Sequence, residues 1–102
     1  MTETEKFKKI AEELTALYDK KNAAYGNAFS QTYKTLGLIS AVTRISDKFN
    51  RLVNLSKNRE IDNCGESIDD TLRDMACYCI MTLMELDIRN EFGWDKPYEK
   101  TK

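Results

Sequence analysis

Histidine is absent from the 102 residues of this chain. That removes the most common general base near neutral pH and every Ser-His-Asp arrangement. It also leaves zinc with only cysteine and carboxylate ligands. The three cysteines do not supply such a site: Cys77 and Cys79 flank Tyr78, Cys64 precedes a glycine, and no Cys-x-x-Cys pair exists. They read as buried, reduced thiols. One proline and four glycines leave few breaks in the chain. Gly26, Gly37, Gly65 and Gly93 stand alone, so neither a P-loop nor a dinucleotide fingerprint is present.

A basic block is also missing. Sixteen Lys and Arg are mixed among seventeen acids, for a net charge of −1. Nothing here neutralises a run of phosphates, and nucleic acid is not an expected partner. The longest apolar run, Met75 to Leu83, is interrupted at Thr82 and is too short to span a bilayer. The start, Met1-Thr2-Glu3-Thr4-Glu5, is acidic and polar and does not read as a secretory signal. The expected compartment is the cytoplasm, with no membrane partner.

What is present is a globular balance, 41% hydrophobic and 32% charged, rich in helix formers. The length suits one domain, read as residues 1–92, with a polar C-terminal tail at 93–102 that carries Trp94. Periodicity predicts an all-α fold: an antiparallel bundle of three long helices plus a short helical or loop segment. The first helix runs from about Thr4 to Asn22, with Phe7, Ile10, Leu14, Leu17 and Tyr18 as its apolar stripe. Ala23 to Thr35 contains a Gly26-Asn27 turn signal and then Phe29 and Tyr33, which suit a short packed helix. The second long helix covers about Leu36 to Lys57. Its expected buried seam is Leu38, Val42, Ile45, Phe49 and Leu52.

The third long helix covers about Glu66 to Asn90, with Ile68, Leu72, Met75, Cys79 and Leu86 as one seam. From Met75 to Leu86 every residue except Thr82 and Glu85 is apolar or a thiol. Such a helix is central in its bundle or lies at a subunit interface. Three helices cannot surround it completely, so a homo-oligomer is expected.

An acidic stripe opens that helix. Glu66, Asp70 and Asp74 are successive i, i+4 neighbours and project from one face. Glu66 and Asp69 suit either helix-start chemistry or, as part of the stripe, a divalent cation, and Asp69 also suits a surface pair with Arg73. Asp74 lies two turns in, directly before Met75-Ala76-Cys77, where a carboxylate is partly desolvated and needs a cation. Lys48 or Arg51 is the expected partner. Arg44, Lys48 and Arg51 share a stripe on the second long helix. They suit either a solvated face or contact with phosphate groups across a cleft.

The order Tyr25-Gly26, then Lys48-x-x-Arg51-Leu52, then Glu66-Ser67-x-x-Asp70-Thr71-Leu72-x-Asp74-Met75-Ala76-x-Tyr78 resembles the nucleotide modification associated domain of phages and bacteria. The last element is its most specific part, and the resemblance covers about Asn22 to Leu86. That element is more distantly similar to the second acidic motif of the MazG-like all-α nucleoside triphosphate pyrophosphohydrolases. The resemblance implies a helical oligomer with a Mg²⁺–nucleotide site. Glu66, Asp70 and Asp74 would be metal ligands, with Asp70 and Asp74 catalytic. Arg44, Lys48 and Arg51 would sit on the phosphates, and Tyr25 would stack on the base. The Glu-x-x-Glu pair that MazG-like enzymes carry on a preceding helix is missing, since Arg44 to Arg51 contains only Asp47 as an acid.

Three functions remain open, the first two of them implied by the resemblance. One is a nucleotide-handling domain with Mg²⁺-dependent hydrolysis of a modified nucleoside triphosphate. The second is a phage binder that sequesters a nucleotide signal without turnover. The third is a helical interaction module whose acids and bases are interhelical ion pairs.

Overall fold

The computed structural model describes residues 1–25, 27–58 and 64–89; the side chains of residues 64–66 and 87–89 fall outside that description. So do Gly26, Trp94 and the tail 93–102. Four helices follow in order: α1 (Glu3–Tyr25), α2 (Ala28–Leu36), α3 (Leu38–Lys57) and α4 (Cys64–Arg89). No strand occurs among the described residues, so the fold is all-α as the periodicity predicts.

α1 begins on a reciprocal cap. The Glu5 N–H donates to Thr2 Oγ1 at 3.1 Å and the Thr2 N–H donates to Glu5 Oε1 at 2.7 Å, satisfying two amides that a helix start leaves open. The helix continues past the expected stop at Asn22 as far as Tyr25, because Ala23 and Ala24 are strong helix formers. The chain then reverses at Asn27, whose φ of 62° lies in the left-handed region that asparagine tolerates. Asn22 Nδ2 donates to Asn27 Oδ1 at 3.0 Å and braces this corner.

The second long helix does not start at Leu36. Leu36 closes α2, and Gly37, at φ 81° and ψ −167°, separates α2 from α3. The Gly37 N–H donates to the Tyr33 carbonyl at 2.7 Å, while its own carbonyl accepts Ser40 N–H at 3.0 Å and Ser40 Oγ at 2.7 Å. Only glycine adopts this backbone region without strain. The apolar periodicity runs across the break, which hid it.

α3 and α4 are antiparallel. Arg44, Lys48 and Arg51 meet Tyr78, Asp74 and Thr71 respectively, so each step forward on α3 is an equal step back on α4. α4 contacts α1, α2 and α3, which makes it the central helix, one of the two placements its apolar circumference allows. The predicted α3 seam needs correction. The helix turns Ala41 and Lys48 towards the interior, with Ala41 fully buried, and leaves Leu38, Val42 and Phe49 exposed. On α4, Leu72 and Cys79 of the predicted seam are likewise exposed, while Thr71, Thr82 and Glu85 are buried. α1 has no fully buried residue, and Phe7 and Ile10 of its stripe face solvent. The thiols are also more open than expected: Cys79 is exposed and Cys77 half-buried.

Candidate functional site

Between α1, the start of α2, and the α3–α4 pair lies a cavity of about 410 Å³. Each helix supplies a different chemistry to it. α1 contributes Tyr18, Lys21, Asn22 and Tyr25, spaced by three and four so that they share one face. α2 contributes Phe29, α3 contributes Arg44 and Lys48, and α4 contributes Asp74, Cys77, Tyr78 and Met81.

Asp74 lies at the centre of the charged wall. Lys21 Nζ donates to Oδ1 at 2.9 Å and Lys48 Nζ donates to Oδ2 at 3.2 Å, so each oxygen has its own ammonium. Partial burial alone raises the Asp74 carboxyl. The hydrogen bonds from Lys21 and Lys48, together with their charges, outweigh it and hold the group below the usual carboxylate range. The Lys21 ammonium is shifted up in return, chiefly by its hydrogen bond to Asp74 against the opposing effect of burial. Burial, and then the Asp74 charge, push the neighbouring Cys77 thiol up, so it is a poor nucleophile.

The aromatic wall is built around Tyr78. Phe29 stacks on it with centroids 5.9 Å apart and planes 27° from parallel. Arg44 Nη1 donates to the Tyr78 hydroxyl at 3.4 Å, and the guanidinium carbon lies 5.9 Å from the ring centroid. Arg44 is thus steered to the cavity by an aromatic ring, and among the described residues no carboxylate pairs with it.

The expected site residues therefore separate into two groups. Tyr25, Arg44, Lys48 and Asp74 line one cavity. Arg51 points elsewhere: its Nε donates to Thr71 Oγ1 at 3.3 Å, and the buried threonine also donates to the Ser67 carbonyl at 2.7 Å. Asp70 is exposed and is not part of the lining. The side chain of Glu66 lies outside the described residues. Among the described residues no group of three or more His, Cys, Asp or Glu gathers where a metal could be held. Asp69 makes the surface pair anticipated with Arg73, at 2.9 Å, and Arg73 also reaches Glu13 of α1 at 3.0 Å.

Lys21 and Phe29 were not anticipated at the site. Lys21 reads in sequence as a charge near a helix end. The signal that identifies it is the mixed stripe Tyr18, Lys21 or Asn22, Tyr25, which continues the apolar stripe of α1 with polar and aromatic groups.

Residues 21–86 match the family of the nucleotide modification associated domain 1. The chain belongs to that family. The match begins at Lys21 and ends beyond Met81, so it takes in every cavity residue except Tyr18. Neither the curated proteins nor the solved structures gave a significant match. No helix among the described residues is long and apolar enough to cross a membrane.

Proposed function

We propose that the domain binds a nucleotide in this cavity, without a resident metal, and that the preferred ligand carries a phosphate monoester. The observation that carries the reading is the charge of the lining: Lys21, Arg44 and Lys48 against Asp74 leave two positive charges in excess. A phosphate monoester carries about −1.5 to −2 near pH 7, which matches that excess. Arg44 offers a planar donor fork and the lysines offer mobile point charges, the two cation types that grip phosphate oxygens. Tyr25 and Phe29 are the stacking surfaces for a base, an interaction worth ~1–3 kcal/mol. The volume is that of a small-ligand pocket, in the range of about 300–1,000 Å³. The family description, which ties the domain to nucleotide modification, supports the same reading.

Mg²⁺-dependent pyrophosphate release from a nucleoside triphosphate is the reaction that a MazG-like relationship would imply. It needs carboxylate oxygens open to a cation. With both Asp74 oxygens on ammonium groups and Asp70 outside the cavity, the described residues offer Mg²⁺ no open carboxylate in the cavity. Binding without turnover is the role that fits.

Calorimetric titration with nucleoside mono-, di- and triphosphates, in Mg²⁺ and in EDTA, tests the proposal. The expected result is binding of a monophosphate that is indifferent to EDTA. Binding of none of the nucleotides, or only of a triphosphate and only with Mg²⁺, would refute it.

A further inference from the structure

The face of the α3–α4 pair that turns away from the cavity is largely apolar, and no described helix covers it. Arg44 and Lys48 on α3, and Asp74, Cys77 and Met81 on α4, mark the cavity side of each helix. Stepping round each helix by 100° per residue places Leu38, Val42 and Phe49 on the far side of α3, and Leu72, Ile80 and Leu83 on the far side and back of α4. Because the two helices share one cavity side, these two rows share the opposite face. All six are exposed, from 45% for Val42 to 59% for Leu83. No charged residue occurs at 38, 39, 42, 45, 46, 49, 52 or 53, nor at 72, 75, 76, 79, 80 or 83.

We infer that this face is covered by the same face of a second copy of the chain, giving a two-fold, four-helix interface built from two α3–α4 pairs. Three observations select a second copy. First, the described helices bury few large side chains against one another: among the described residues Tyr33 and Ala41 are the fully buried hydrophobic ones, a small core for four helices. Second, the centre of the face has no charge with which to choose a charged partner, Asp69 at its margin being paired with Arg73, and uncharged apolar centres are the mark of homodimer interfaces. Third, six half-exposed side chains of this size leave on the order of 500 Å² of apolar surface. That is at the upper end for a monomer and close to the ~800 Å² per partner of a standard interface. An antiparallel helix pair also meets its own copy without leaving an unmatched end, which a closed two-fold contact requires. The cavity lies on the other side and stays open, so the interface is independent of what the cavity binds.

Light scattering after size exclusion, on the full chain, gives the first reading, and the concentration dependence of thermal unfolding gives the second. The expected result is a dimer, or a multiple of it, whose unfolding midpoint rises with protein concentration. Leu83→Asp and Phe49→Asp, each placing a charge on the face, should weaken association by at least about tenfold. Should either variant fail to fold alone, the concentration dependence of the unsubstituted chain still decides. A monomer with a concentration-independent midpoint overturns the inference, and so does an oligomer that both substitutions leave intact.

Discussion

Lys21 and Asp74, 53 residues apart in the chain, meet at 2.9 Å and tie the end of the first helix to the middle of the last. Lys48 takes the other oxygen of the same carboxylate, so one acid organises two cations on one wall of the cavity. Under the proposed binding Asp74 is a positioning residue: it holds the lysines and lowers their joint charge by one.

Asp74→Asn should therefore tighten binding of a nucleoside monophosphate, because it removes a negative charge beside the phosphate site. The same substitution would abolish binding if Asp74 held a metal, so calorimetry on this variant separates the two roles by the sign of the change.

Its effect on stability should depend on pH. A carboxyl held below its ordinary value in the folded chain stabilises the fold above about pH 4, and that contribution fades as the pH falls through the folded-state value. Urea unfolding should thus show the unsubstituted chain as the more stable at pH 7, with the two curves converging below about pH 4. An equal gap at pH 3 and pH 7 would contradict the pairing.

Lys48→Ala and Arg51→Ala, neighbours on one stripe, should behave differently. Losing Lys48 removes a charge-assisted hydrogen bond worth about 1.5–3 kcal/mol, a fall in nucleotide affinity of about tenfold or more. Arg51 lies on Thr71, outside the cavity, so its loss should change affinity by no more than about twofold. Equal losses would place the phosphates elsewhere.

Tyr78→Phe keeps the stack on Phe29 and removes only the hydroxyl that receives Arg44. It should cost less than about 1 kcal/mol in chemical denaturation, whereas Tyr78→Ala should cost about 2–3 kcal/mol. Similar costs would mean that the ring contact contributes little.

Gly37→Ala meets no atom within 4 Å of the added Cβ, so its penalty is backbone strain alone. At φ 81° that strain is about 1–3 kcal/mol, which a thermal melt will register. An unchanged midpoint would show that the α2–α3 corner relaxes without cost.

Much of this architecture was readable from the residues, and the exceptions share one cause. Period and composition identified the helices and allowed a central α4, and the short motif from Glu66 to Tyr78 carried the family resemblance, because those signals are local. The apolar row Leu38, Val42, Phe49 was equally plain, but periodicity shows that a row exists and not which neighbour takes it. Ala41 and Lys48 lie on an adjoining row of α3, and that row faces inward. Lys48 was a named partner for Asp74 because α3 and α4 are consecutive long helices. Lys21 was not, since the pairing of α1 with α4 is set by tertiary packing and leaves no mark at either position. The corner at Gly37 was missed because glycine inside an apolar pattern is often tolerated in a helix.

With none of its side chains fully buried, α1 is fastened to the rest of the molecule in good part by Lys21 on Asp74 and by Arg73 on Glu13. Fastenings of that kind weaken as mobile ions crowd round them, while apolar packing does not. Rising ionic strength should therefore free α1 while α3 and α4 stay together, and the cavity, which has α1 for one wall, would open with it.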